Sequence, residues 1–155
     1  MKRIFAISAA VLAADQITKY LVVEAMGLGA LGEIEILPPY LNLRMAWNYG
    51  INFGLLSGLG DAIRWALVAV SLAVSAWAIW WARRAGGVRA ELSVGILLGG
   101  VAGNVVDRLV HGAVADFLNM SCCGIGNPYS FNVADVAIFF GAIGIVLFPG
   151  ERKTP

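Results

Sequence analysis

Trp65 to Ala82 is a run of 18 residues with no charge, no proline and no glycine. As a helix it would be ~27 Å long, close to the ~30 Å hydrocarbon core of a bilayer. Such a segment constrains the rest of the chain. Lipid offers no partner to backbone N–H and C=O groups, so segments that cross beside it must also satisfy themselves as helices. Trp65, Trp77, Trp80 and Trp81 lie at or near its ends, where indoles favour the interface. Three more apolar stretches run from about Ile4 to Val23, Leu92 to Val110 and Val133 to Phe148. The first follows Met1-Lys2-Arg3 and has the look of a signal peptide, a charged start before a short apolar region. The apolar run resumes after Asp15 and Lys19 as Tyr20-Leu21-Val22-Val23, which extends it to spanning length. The composition agrees: 59% hydrophobic and 14% charged, against about 45–50% apolar and about 25% charged in soluble domains. The expectation is one domain over residues 1–155, an all-α membrane bundle of four transmembrane helices (4–23, 65–82, 92–110 and 133–148).

Basic residues orient the bundle. With the N-terminus cytoplasmic, Lys2, Arg3, Arg83, Arg84, Arg89, Arg152 and Lys153 all fall inside, seven of the eleven Lys and Arg. Both termini are then cytoplasmic, and two outer segments follow, 24–64 and 111–132. In the first, Glu33-Ile34-Glu35-Ile36-Leu37 alternates polar with apolar, as a half-buried strand does. Pro38-Pro39 interrupts it, and Leu41 to Met45 alternates again. A small outer β-sheet is expected, with a short surface helix over Phe53 to Leu59. The second segment holds Gly112, Gly124, Gly126 and Pro128 and reads as a loop.

The net charge of +1 and the lack of a basic run with aromatics give no nucleic-acid signature. Cys122 and Cys123 are adjacent, neither a CxxC pair nor a zinc ligand set. They read as two small, half-buried loop residues. With His111 the one histidine, no metal site or cofactor is expected. Ser121 and Ser130 have only His111 as a base, at no spacing that favours a triad.

The polar residues inside the apolar stretches carry the functional question, because charge in hydrocarbon costs ~2.5–3.5 kcal/mol on insertion scales. Asn104, Asp107, Arg108 and His111 fall at i, i+3, i+4 and i+7, one helical stripe. Gly95, Gly99 and Gly103 repeat every four residues, a spacing that lets helices approach closely in lipid. Asp107 and Arg108 are either an interfacial pair or have partners elsewhere in the bundle. Asp15 and Lys19 are either a plain i,i+4 ion pair or a brace to a neighbouring element. Asp135 follows Asn132 by three residues, which alone is helix-start chemistry. Topology adds a second reading. The third stretch runs outward and the fourth inward, so Asp116 and Asp135 reach the same outer boundary. Two carboxylates brought close cannot both ionise cheaply, so one holds a proton while the other accepts one from water. That is equipment for peptide hydrolysis without a metal or a covalent nucleophile. A proton-coupled carrier would spread polar residues through the bilayer depth, and here they gather at one end. A scaffold using the glycine face leaves the two carboxylates unexplained.

Several motifs carry a resemblance. Asp15-Gln16-Ile17-Thr18-Lys19, Asn48-Tyr49-Gly50-Ile51-Asn52-Phe53-Gly54, the block Gly103-Asn104-Val105-Val106-Asp107-Arg108 with Gly112 to Phe117, and Phe131-Asn132-Val133-Ala134-Asp135 together resemble lipoprotein signal peptidase (signal peptidase II), an intramembrane aspartic protease of bacteria. The resemblance implies that Asp116 and Asp135 are a catalytic dyad. It further implies that Asp15, Lys19, Asn48, Gly50, Phe53, Asn104, Asp107, Arg108 and Asn132 bind substrate or support the site. Asn52 departs from the pattern, where a small residue usually precedes the phenylalanine, and this bears on local substrate or inhibitor contacts. The implied substrate is a diacylglyceryl-modified prolipoprotein, cleaved N-terminal to the lipidated cysteine. The implied location is the bacterial inner membrane, with the site near the periplasmic face among membrane lipids and no nucleic acid as partner. A monomer is the expectation.

Overall fold

The computed structural model describes residues 1–50, 61–123 and 125–148. Asn52, Phe53 and the surface helix expected over Phe53 to Leu59 lie outside the described residues. The helices are α1 (Lys2–Lys19), α2 (Leu28–Leu31), α3 (Asp61–Ala85), α4 (Val88–His111) and α5 (Val133–Leu147). The strands are β1 (Glu33–Leu37), β2 (Leu41–Asn48) and β3 (Val114–Asn119).

α1 does not stop at Lys19. It continues as a π-helical segment, Tyr20–Ala25, in which the Met26 N–H donates to the Leu21 carbonyl at 2.8 Å. Among the described residues, three helices are thus long and apolar enough to cross a membrane: Lys2–Ala25, Asp61–Ala85 and Val88–His111. α5 is apolar but has 15 residues, ~22 Å of helix. α3 begins four residues before the uncharged run because Asp61 suits a helix start, and Arg64 lies within the helix with its guanidinium 5.0 Å from the Trp65 ring.

α4 is the central helix. The most apolar part of α4 is 67% buried, against 17% in α1 and in α3. Without a hydrophobic drive between helices in lipid, close packing must hold them, and glycine supplies it on two sides. A Cβ at Gly95 would stand 2.8 Å from the Ile7 Cβ, and Cβ atoms at Gly99 and Gly103 would strike Val11 and Asp15, all on α1. On the other side Gly100 meets Ala134 and Ile138, while Gly141 of α5 packs on Leu97 and Gly144 on Ser93. Between these seams Ile4, Ala78, Ala82, Val94, Leu97, Leu98 and Val101 form a buried cluster.

The sheet is antiparallel in the order β1-β2-β3. The alternation in the sequence correctly marks β1 and β2. β3 corrects the expected loop. Val114, Ala115, Asp116, Phe117 and Asn119 are all buried, so both faces are covered and no alternation marks the strand. Phe117 and Ala115 join Val23, Leu28 and Leu43 in a second core under the sheet. The chain leaves α4 through Gly112, whose φ of 79° is the left-handed conformation that ends many helices. After β3 it returns to pair Leu118 with Phe131 through N–H···O bonds of 2.8 and 2.9 Å, one residue before the N-cap of α5. Cys122 and Cys123 are exposed rather than half-buried, and they are joined to each other as a vicinal disulfide.

Candidate active site

Asp135 sits in the first turn of α5, and local chemistry puts it there. The N-cap Asn132 side chain accepts from the Asp135 N–H at 2.9 Å, and the Asp135 carboxylate accepts from the Asn132 N–H at 3.2 Å. This is a reciprocal capping box. The other carboxylate oxygen of Asp135 accepts from the Asn104 amide at 2.9 Å. The helix-start reading and the convergence reading therefore describe the same residue.

Asp116 lies on β3 opposite Ala46 of β2, with Asn48 two residues along the same face. Its carboxylate accepts from the Asn48 amide at 3.1 Å and from the Asn132 amide at 2.7 Å. Asn132, fully buried, thus donates to Asp116 while capping the turn that holds Asp135, and its amide also reaches the Asn104 side-chain oxygen at 3.2 Å. One asparagine side chain joins the two acids. Asp116 is 4% exposed, and burial, with the neighbouring charge of Asp135 second, raises its pKa from 3.8 to about 7. The hydrogen bonds from Asn48 and Asn132 and the charge of Lys19 pull the other way and are outweighed.

A second layer braces the elements that carry these acids. Lys19 is both a plain i,i+4 partner and a brace: its ammonium is 2.8 Å from Asp15 and 2.8 Å from Asp107 on α4. The free oxygen of Asp15 accepts from the Ala134 N–H at 2.9 Å, fixing the first turn of α5. Asp107 accepts from the Ala115 N–H at 3.1 Å, fixing β3 one residue before Asp116. Gln16 completes the layer by donating to Asp107 at 3.0 Å and Asp15 at 3.2 Å. Gln16 is not among the site residues that the sequence motifs imply; its place beside Asp15 in the first motif is the one signal for it.

Asp107 and Arg108 turn apart. Arg108 donates to the Asn104 carbonyl at 3.2 Å and to the Gly50 carbonyl at 3.1 Å, and the Gly50 N–H donates to the Asn48 side chain at 3.1 Å. Arg108 therefore fixes the chain beyond β2 and, through it, the asparagine on Asp116. His111 stands at the outer end of the stripe, beside the same cavity as Asp107. It is exposed, with its ring 5.5 Å from that of Trp47. Among the described residues, the structure thus gathers ten of the predicted site residues at one end of the bundle, Phe53 lying outside them.

A groove of about 440 Å³ leads to Asp135 from between α3 and α5. Leu67, Ile138, Phe139 and Ala142 give it apolar walls, and Asn104 and Arg108 line its polar end. No group of three or more His, Cys, Asp or Glu residues that could hold a metal occurs among the described residues.

Fold and site together define a multi-pass membrane protein with two hydrogen-bonded carboxylates, Asp116 buried and Asp135 half-buried, at one end of its helices. The comparisons with known proteins give the family. The family model described as signal peptidase (SPase) II matches residues 7–149. Lipoprotein signal peptidases of Methylorubrum extorquens (strain PA1), Methylobacterium sp. (strain 4-46) and Alteromonas mediterranea are 41%, 37% and 38% identical, over 72%, 92% and 91% of this chain and 64%, 85% and 76% of theirs. Two solved structures of a bacterial membrane enzyme, obtained in meso at 2.3 and 1.9 Å, align with TM-scores of 0.79 and 0.78 at 25% identity. They cover 95% and 99% of this chain and 87% and 96% of theirs. The chain belongs to the signal peptidase II family.

Proposed function

We propose that the chain is an aspartic endopeptidase that removes the signal peptide from diacylglyceryl-modified prolipoproteins, cutting N-terminal to the lipidated cysteine. The observation that carries this reading is the pair of acids joined through Asn132. Asp116, with a pKa of about 7, holds a proton about half the time at neutral pH and donates it toward the scissile carbonyl oxygen. Asp135 accepts a proton from the attacking water. The hydroxyl oxygen bonds to the carbonyl carbon, and breakdown of the tetrahedral species returns a proton to the leaving amine. The pair titrates as a unit, and the roles exchange within the cycle. Asn104, Asn48 and Asn132 keep both acids oriented, and Arg108 supports Asn48 through Gly50.

The same reading places the chain in the bacterial inner membrane with both termini cytoplasmic and the sheet and acids at the periplasmic face. α5, Val133–Leu147, is the fourth span. A lipid-anchored substrate approaches from the bilayer, and the apolar groove between α3 and α5 supports that route. The test is release of signal peptide from lipidated and unlipidated prolipoprotein by purified protein in detergent. Wild type is expected to cleave only the lipidated form, and Asp116→Asn and Asp135→Asn neither. Substantial cleavage by either variant overturns the dyad. Cleavage regardless of lipidation overturns the substrate.

A further inference from the structure

A second cavity, about 210 Å³, lies between the outer end of α1, β2 and the outer end of α4, and neither Asp116 nor Asp135 lines it. Lys19, Tyr20, Glu24, Trp47, Asp107 and His111 form its polar and aromatic wall. The π-helical end of α1 supplies part of it, and single π-helical turns concentrate at functional sites. The Glu24 carboxylate stands exposed at the rim, its side chain without a hydrogen bond or ion pair to the described residues. Lys19 is already committed to Asp15 and Asp107. Of the charged residues that line it, Lys19, Glu24 and Asp107 sum to a formal charge of −1, so the cavity favours a cation. Trp47 and Tyr20, 41% and 65% exposed, offer ring faces to it. Beside the cavity, Ile17 and Leu21 on α1 and Leu109 and Val110 on α4 are exposed apolar side chains, a surface suited to acyl chains.

We propose that this cavity binds the headgroup of a zwitterionic aminophospholipid. The primary ammonium lies between Trp47 and Tyr20 and donates to Glu24. The phosphate faces the membrane surface, and the chains run along α1 and α4. An anionic headgroup is disfavoured by the lining charge, and a quaternary ammonium has no N–H to give the carboxylate. Ala115, one residue before Asp116, lines the cavity, so an occupied cavity stiffens the strand that carries Asp116. This inference rests on the reading above that the outer ends of α1 and α4 reach the membrane surface.

Native mass spectrometry of the full chain in detergent tests it, with equimolar phosphatidylethanolamine, phosphatidylglycerol and phosphatidylcholine added. Phosphatidylethanolamine is expected to be retained about fivefold over each of the others, the upper end for a charge pair at a partly exposed rim. Glu24→Gln should erase that preference while melting like wild type in lipid-free detergent, because Glu24 makes no contact the fold needs. Equal retention of the lipids by wild type, or a preference that survives both Glu24→Gln and Trp47→Leu, overturns the proposal. Stabilisation by chain-free glycerophosphoethanolamine equal to that by the intact lipid overturns the lipid source. Retention is read without any turnover, so its failure leaves the peptidase reading standing, and loss of the peptidase reading leaves retention measurable.

Discussion

Lys19→Met separates two physical pictures of the site. If Lys19 were only an exposed i,i+4 partner of Asp15, its loss would cost ~0.2–0.5 kcal/mol. The structure gives a larger figure. Asp15 is 0% exposed and Asp107 1%, and both lie 2.8 Å from the same ammonium. Methionine keeps most of the side-chain volume and removes the charge. Two buried carboxylates are then left beside each other without a cation, and breaking a buried pair in this way costs ~3–5 kcal/mol. A loss of about 3–5 kcal/mol is therefore expected. Equilibrium unfolding in mixed micelles measures it. A double-mutant cycle with Asp107→Asn should return a coupling above about 1 kcal/mol, since the double variant no longer holds two uncompensated charges. Because Asp107 and Asp15 fix Ala115 and Ala134, signal-peptide release should fall with stability. A loss below about 0.5 kcal/mol with no coupling would refute the shared-cation account.

Three further outcomes follow from the same geometry. The pKa of Asp116 is raised from 3.8 to about 7, so the folded state holds a proton the unfolded state has lost between those values, and this acid destabilises the fold as pH rises. Asp116→Asn should therefore stabilise the protein by on the order of 4 kcal/mol at pH 8 and by almost nothing at pH 4, read by thermal unfolding across pH; a gain independent of pH would contradict the assignment. Gly141→Ala places a Cβ 2.6 Å from the Leu97 backbone nitrogen, which must drive α4 and α5 apart and cost about 1–3 kcal/mol in unfolding experiments. Asn132→Ala removes the N-cap of α5, worth about 1–2 kcal/mol, and also the link between the two acids. Its activity loss should exceed 100-fold, roughly 2.7 kcal/mol in barrier, and preserved turnover would sink the bridging role.

Much of this was legible in the sequence where one residue type has one physical use. The Gly95-Gly99-Gly103 spacing foretold the seam on α1, and Asn132 three residues before Asp135 foretold the capping box. Alternation marked β1 and β2. What stayed hidden depends on contacts between distant segments. β3 is covered on both faces and so shows no period. The π-helical end of α1 carries Val23 into the core beneath the sheet, with Leu28, Leu43 and Phe117, and no spacing in the sequence marks it. That Lys19 serves two acids on different helices could not follow from its spacing to Asp15 alone, because Asp107 is 88 residues away in the chain.

The bond from the Ala134 N–H to Asp15 joins residues 119 positions apart. A ribosome therefore finishes the first helix long before the last one exists. Until α5 is made, Asp135, Asn132 and the amide that Asp15 receives are all missing, and Asp116 stands without its counterpart. On the aspartic mechanism proposed above, a growing chain is in this sense its own proenzyme: the pair of acids is complete only once the final helix is in place.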